Sequence, residues 1–466
     1  MDHINENRTY SIVTLKLAHL ALTVGLFYIF WLLFRYHSLT DIDRYGFRYN
    51  YFIAFAYGAL FYFFSRTYNA YLLGYLRIRE MISGQFLSQL FSLILIYLIV
   101  TVGWNKLYAP WIFMPFLGIL FVFDIVWSYF STWYFFKHFP KRKTLLIYRN
   151  SIDKRRLGSI NGKPAERLYV ITDELKFDGS FNELEPKLSG FDAIFVAGVN
   201  SACRDSILRY CKENGISGFF LPHVGDTIMR EATHIQAFDS PVLYVTRKSL
   251  NPIYALIKRF FDIVSSALGL IILSPIMFIT AMIIRLYDGG PAFYKQTRLT
   301  KDGKEFKIIK FRSMRVDAEK DGIARLSTGD NDDRITPIGK LIRKFRIDEL
   351  PQLWNIFTGD MSVVGPRPER PEIADQYRKI MPEFDLRLQV KAGLTGYAQV
   401  YGKYNTEPYE KMEFDLLYIE RMNILTDLQL CFATFAILFR PESTAGIDKG
   451  STTALDPVVL SESKPE

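Results

Sequence analysis

The sequence predicts a membrane protein of α plus α/β build. It has four N-terminal transmembrane helices, then a small α/β domain, then a mainly helical domain with a re-entrant membrane helix. Three observations predict this order. Apolar residues gather in four runs before residue 140 and in a fifth over residues 260–284. Short β-rich runs alternate with polar stretches over 141–250. Basic residues crowd the segment after the fifth run. At ~150 residues per domain, 466 residues suit about three such regions. With 49% hydrophobic and 16% aromatic residues, the chain is too apolar for disorder.

Residues 11–34 carry one charge, Lys16. Residues 49–65 and 83–104 carry none, and 111–136 carry only Asp124. A ~30 Å hydrocarbon core takes about 20 apolar residues as helix, so each run reads as a span, with 49–65 the shortest. The first run is too long, and lacks a small-residue cleavage site, for a removed signal peptide. Lys and Arg in the flanks set the orientation. Arg8, Arg66, Arg77, Arg79, Lys137, Lys141, Arg142 and Lys143 fall on one side, and Arg35, Arg44, Arg48 and Lys106 on the other. The N-terminus and everything after Lys141 are therefore expected in the cytoplasm.

Over 141–250, runs such as TLLIY (144–148), RLYVIT (167–172), DAIFVAGV (192–199), GFFL (218–221) and PVLYVT (241–246) read as strands of a mostly parallel sheet. The alternation is Rossmann-like, but no glycine run follows the first strand. GSINGKP at 158–164 is one residue short of a phosphate loop and ends in proline. A structural or regulatory module is expected here. Three cysteines (Cys203, Cys211, Cys431) exclude a disulfide scaffold and a Cys-rich zinc module.

Residues 251–440 form the third region. The fifth apolar run holds Asp262 and, near its middle, Ser274-Pro275, where a helix should kink or break. Lys258 and Arg259 precede it, and Arg285, Lys295 and Arg298 follow it, so both ends carry the cytoplasmic mark. A helix that enters, breaks at Pro275 and returns satisfies both flanks; a Pro-kinked fifth span is the plainer alternative. From Arg285 to Arg346 there are 16 Lys or Arg and 9 Asp or Glu, a net +7 beside the membrane. Such a patch suits anionic lipid headgroups or substrate phosphates. Nucleic acid is not expected beside a four-helix membrane anchor. Residues 441–466, rich in Ser, Thr and Pro, read as a disordered tail.

No histidine lies beyond His234, so a base or nucleophile in the last half must be a carboxylate, Lys, Tyr or hydroxyl. The best constellation surrounds Asp348 and Glu349, five and six residues after Arg343. On spacing alone Asp348 reads as an N-cap with Pro351 in the first turn. The functional alternative is a carboxylate pair among arginines, placed to attack or bind a metal-complexed phosphate. Lys310 and Arg312 fall on one face of a strand, and a Gly/Pro-rigid loop presents Arg367, either for phosphate or merely to solvent. Gly393 and Gly396 mark a loop that approaches a ligand closely or needs positive φ.

KFRSM (310–314), DELPQLWN (348–355), MSVVGPRPE (361–369) and KAGLTG (391–396), in that order, resemble the bacterial polyprenyl-phosphate hexose-1-phosphate transferases. The catalytic-domain resemblance covers about 251–440, and the 1–140 spans with the 141–250 domain resemble the long members. The resemblance implies transfer of hexose-1-phosphate, galactose or glucose, from a UDP-hexose to undecaprenyl phosphate, with UMP released. This step begins exopolysaccharide, capsule or O-antigen assembly. It implies Asp348 as nucleophile, Glu349 as its partner in magnesium binding or proton handling, and Arg343, Arg367 and Lys310 on phosphates. Ser274-Pro275 matches the break of the family's re-entrant helix. The implied location is the bacterial cytoplasmic membrane, with the catalytic domain facing the cytoplasm. The aromatic-rich membrane region leaves a homodimer open. Two other classes compete. A lipid-binding scaffold or transporter would dispense with Asp348-Glu349 or need intramembrane charges, of which Asp124 and Asp262 are the candidates. A processive glycosyltransferase would need a carboxylate motif that 141–250 lacks.

Overall fold

The computed structural model describes residues 2–38, 48–105, 107–158, 168–230, 232–237, 240–245, 250–316, 318, 332–402 and 408–437. The expected tail at 441–466 and most of the 158–164 loop lie outside these. The chain forms two compact units, Met1–Pro222 and His223–Glu466.

The first unit opens with α1 (Asp2–Ser38), α2 (Arg48–Thr67), α3 (Ile78–Trp104) and α4 (Phe113–His138). Each packs on its sequence neighbour, and α1 also meets α4. Lipid is as apolar as leucine, so packing and polar contacts must hold such a bundle. Phe27 stacks on Tyr57 at 4.0 Å and Phe30 on Phe116 at 4.3 Å. Gln89 donates to Asp124 at 2.9 Å, and the His19 ring nitrogen lies 3.3 Å from the same carboxylate. Among the described residues, four helices are long and apolar enough to cross a membrane: Arg8–Phe34, Ile78–Trp104, Pro110–His138 and Pro252–Asp288. α2 is a helix of spanning length but is not among them. Asn50 and the phenol groups of Tyr49, Tyr51, Tyr57 and Tyr62 lower its hydropathy.

The sheet of this unit is built from β1 (Arg142–Tyr148), α5 (Ser151–Gly158), β2 (Tyr169–Lys176), α6 (Phe181–Leu184), β3 (Ala193–Ala197), α7 (Ser201–Glu213) and β4 (Ser217–Phe220). All pairings are parallel, in the order β2-β1-β3-β4. Every residue of β3 is buried, as are Leu145, Leu146 and Ile147 of β1, which is what a parallel sheet covered on both faces requires.

The second unit begins with α8 (Val224–Arg230) and an antiparallel hairpin, β5 (Thr233–Ala237) and β6 (Ser240–Tyr244), so the PVLYVT run pairs outside the parallel sheet. α9 (Pro252–Asp288) follows. Residues 274–275 lie inside this helix, and the chain stays helical through them. Proline has no amide to give the Ile271 carbonyl, and the Ser274 hydroxyl donates to that same carbonyl at 2.8 Å. Then come the antiparallel β7 (Phe293–Leu299) and β8 (Glu305–Phe311), α10 (Pro337–Lys344), α11 (Gln352–Thr358), β9 (Ser362–Val364), α12 (Pro371–Arg378), β10 (Gly393–Thr395), α13 (Tyr397–Tyr401), α14 (Pro408–Arg421) and α15 (Ile424–Ile437). β9 and β10 pair in parallel. The main core gathers Val364, Tyr377, Phe384, Met412, Leu416, Tyr418 and Leu430.

Candidate active site

α10 starts at Thr336, whose hydroxyl caps the Gly339 amide at 2.9 Å. It ends at Lys344, and Arg346 turns the chain with φ 53. That left-handed turn leads into a 3-10 turn, Ile347–Glu349. Asp348 sits inside this turn and does not cap α11, whose N-cap position is Pro351. The helix-cap reading of Asp348 therefore gives way.

Glu349 is the centre of the basic cluster. Its side chain is 12% exposed; Oε1 lies 2.9 Å from Arg367 Nη2 and 3.7 Å from Lys310 Nζ, and Oε2 lies 3.5 Å from Arg346 Nη1. No described residue hydrogen-bonds the Asp348 carboxylate, which faces Lys310, Arg343 and Arg367 at longer range. Burial, and then the Glu349 charge, raises Asp348 above the ordinary aspartate range. Burial acts the same way on Glu349, but Arg367, Lys310 and Arg346 outweigh it and hold that carboxyl well below its usual range. Burial also pushes the Lys310 ammonium down to about 8, against the pull of Glu349.

The sequence-predicted Lys310, Arg343, Asp348, Glu349 and Arg367 thus come together. Arg312 does not join them: it is 8% exposed and pairs with Asp288 at the end of α9. A Cβ on Gly290 would collide with its guanidinium, so a glycine makes room for it. Ser274 and Pro275 lie within α9, as described. Sequence reading missed Arg346, Arg387 and Asp415. Arg387 donates to the Arg367 carbonyl at 2.7 Å and to Asp415 at 2.9 Å, and so holds the backbone of a site arginine. Only the run of basic residues at 343–346 signalled any of these.

The glycines of KAGLTG have another use than the sequence suggested. Neither Gly393 nor Gly396 has positive φ. A Cβ on Gly393 would sit 2.1 Å from the Gly365 nitrogen, and one on Gly396 would sit 2.3 Å from the Gly365 oxygen. They let β10 pass against the backbone that carries Arg367. Gly365 N–H donates to the Thr395 carbonyl, and Gly393 N–H to the Pro366 carbonyl, both at 2.8 Å.

Among the described residues, no group of three or more His, Cys, Asp or Glu side chains is placed to hold a metal. Asp348 and Glu349 are the carboxylates at hand, and both Glu349 oxygens already face cations. Magnesium fits such a site in its usual manner, through one or two carboxylates plus substrate phosphates. With four basic side chains around two carboxylates, the site has positive charge to spare for phosphates.

Residues 253–441 match the family described as bacterial sugar transferase. The chain is 40% identical over 187 residues to the UDP-N-acetylgalactosamine-undecaprenyl-phosphate N-acetylgalactosaminephosphotransferase of Aeromonas hydrophila, covering 40% of this chain and 44% of that protein. It is 41% identical over 205 residues to the UDP-glucose:undecaprenyl-phosphate glucose-1-phosphate transferase of Klebsiella pneumoniae, covering 43% and 42%. A protein of the latter name from Caulobacter vibrioides is 38% identical over 191 residues, covering 40% of this chain and 71% of its own length. The matched stretch thus spans less than half the length of the first two relatives and most of the third. The chain belongs to the bacterial sugar transferase family.

Proposed function

We propose that this protein transfers hexose-1-phosphate from a UDP-hexose to undecaprenyl phosphate, giving undecaprenyl-diphospho-hexose and UMP. One observation carries the reading. A carboxylate without a hydrogen-bond partner among the described residues, Asp348, stands beside a carboxylate held by three cations, in a cluster with basic charge in excess.

In this reading an oxygen of Asp348 attacks the β-phosphorus of the UDP-sugar. The bond to the bridging oxygen breaks, and UMP leaves with its electron pair. The phospho-sugar on Asp348 is then attacked by an oxygen of undecaprenyl phosphate, which regenerates the carboxylate. A carboxylate needs no base to act as nucleophile at neutral pH, so the lack of histidine is no obstacle. Lys310, Arg343 and Arg367 hold phosphate oxygens against the repulsion of the attacking anion. Glu349 keeps Arg367, Lys310 and Arg346 aimed at one point. Magnesium, held by Asp348 and Glu349 with substrate oxygens, would neutralise phosphate charge.

The reading places the protein in the bacterial cytoplasmic membrane, with its N-terminus and its catalytic domain facing the cytoplasm. α9 is then a re-entrant helix bent at Pro275, with the Ser274 hydroxyl sustaining the bend. This lets a lipid phosphate at headgroup level meet a soluble nucleotide sugar. The test is UMP release by purified protein with undecaprenyl phosphate, magnesium and a panel of UDP-glucose, UDP-galactose and their N-acetyl forms. Asp348→Asn runs alongside. Release from one sugar, abolished by Asp348→Asn, supports both reaction and nucleophile. Release that survives the substitution removes Asp348 from its role, and no release from any sugar by folded protein rejects the reaction.

A further inference from the structure

We propose that Asp262, on the apolar helix α9, is a positioning residue for Arg367, so that the membrane helix itself aligns the phosphate-binding loop. The inference rests on the reaction proposed above.

An ionisable residue on such a helix is costly and calls for a partner. Asp262 is 5% exposed. Its Oδ1 accepts two hydrogen bonds, from Ser362 Oγ at 3.0 Å and from the Val363 amide at 2.9 Å. Those residues open β9, and the chain runs from them through Gly365 and Pro366 to Arg367.

The strand has little slack between the two ends. Gly365 and Pro366 are tied to Thr395 and Gly393, and the Arg367 carbonyl to Arg387. In this proposal a shift of Val363 strains the tied segment that carries Arg367, and with it the 2.9 Å contact with Glu349.

Asp262 belongs to a polar stripe along α9. Tyr254, Lys258 and Asp262 recur every four residues, so they share one face of the helix. Tyr254 donates to Asp427 at 2.8 Å and Lys258 donates to it at 2.7 Å. The Tyr418 hydroxyl lies 2.8 Å from Asp427 and 3.2 Å from the Val364 carbonyl. One helix face thus grips β9 twice, directly through Asp262 and by relay through Asp427 and Tyr418. Sites held this way lose rate when the support moves, even where no support touches substrate.

The test uses the full chain in phosphatidylethanolamine–phosphatidylglycerol nanodiscs. Variants are Asp262→Ala, Asp262→Asn, Ser362→Ala, Arg367→Ala and Asp262→Ala/Arg367→Ala. Hydrogen exchange over 362–367 reads the clamp whether or not the chain transfers sugar phosphate. Asp262→Ala should speed that exchange at least tenfold, while Asp262→Asn, which keeps the accepting oxygen, should stay near wild type. UMP release should fall tenfold to a hundredfold in kcat for Asp262→Ala, with KM changed less than threefold. Ser362→Ala, which removes one of the two bonds and spares the helix, should fall severalfold. The double variant should be no slower than Arg367→Ala alone, the signature of action through that residue. Unchanged exchange in both Asp262→Ala and Ser362→Ala overturns the proposal, as does a loss that multiplies fully onto Arg367→Ala. A wild-type protein that releases no UMP overturns the proposed reaction instead, and exchange still decides the clamp.

Discussion

Replacing Arg387 by leucine should destabilise the protein in a way that grows with pH. Arg387 is 6% exposed and its partner Asp415 1%. The guanidinium lies 2.9 Å from Asp415 through Nε and 2.6 Å through Nη2, and it donates to the Arg367 carbonyl at 2.7 Å. Leucine removes all three contacts. The orphaned carbonyl costs about 1–3 kcal/mol. The carboxylate brings the pH dependence. Burial, opposed by Arg387, pushes Asp415 up to about 6. A carboxyl whose folded pKa exceeds its unfolded value, about 3.9, costs stability as pH rises between the two and nothing further above the folded one. In the wild type that cost levels off near pH 6. Without Arg387 the folded pKa rises further, and the cost keeps growing by about 1.4 kcal/mol per pH unit. With Lys411 still facing the carboxylate, the variant loses at most about 2.7 kcal/mol more than the wild type from pH 6 to about pH 8. At about 2–4 °C per kcal/mol for a unit of this size, the Tm gap widens by several degrees, to at most about 11 °C. Thermal unfolding of both proteins in nanodiscs at the two pH values measures it. A gap that stays constant or narrows on going alkaline refutes the argument. Arg387→Leu/Asp415→Leu should recover the share due to the buried carboxylate and abolish the pH dependence, leaving only the cost of the orphaned Arg367 carbonyl.

The remaining expectations concern the site. Lys310 is down at about 8, so its charge is lost as pH rises through that value, and KM for the nucleotide sugar should climb above it; Lys310→Arg should carry that limb upward by more than one pH unit. Chelation of magnesium by EDTA should abolish UMP release yet leave Tm within about 1 °C, because the proposed ion is held largely by substrate oxygens. Arg312→Ala should lower stability by about 1 kcal/mol, because Asp288, 27% exposed, regains water when its partner goes, with KM unchanged in the folded fraction; a raised KM at constant Tm would return Arg312 to the phosphate site.

Much of this was legible along the chain, because the signals were local. Apolar runs with at most one charge marked α1, α3, α4 and α9, and β-rich runs marked the strands. Lys310, Arg343, Asp348, Glu349 and Arg367 were found through motifs and do come together. What escaped depends on contacts between distant segments. Arg312 looked like the twin of Lys310 on a strand, but Asp288, 24 residues away, claims it. Arg387 and Asp415 carry no motif, and their function lies in a bond to the Arg367 carbonyl. For the glycines at 393 and 396 the sequence allows close approach to a ligand or positive φ; the close approach is there, but the neighbour is the chain itself, at Gly365. The left-handed turn at Arg346 could not be read from residue type, since arginine has no preference for it.

That turn has a consequence for engineering. A non-glycine residue at φ 53 costs about 1–2 kcal/mol, and the chain bears it to seat a guanidinium 3.5 Å from Glu349. Selection for heat tolerance alone should therefore favour glycine or asparagine at 346, a relaxed backbone gained at the expense of turnover. Selection for turnover should restore the arginine. Position 346 is where robustness and catalysis ask for different residues, and competition between the two variants under each selection would show it.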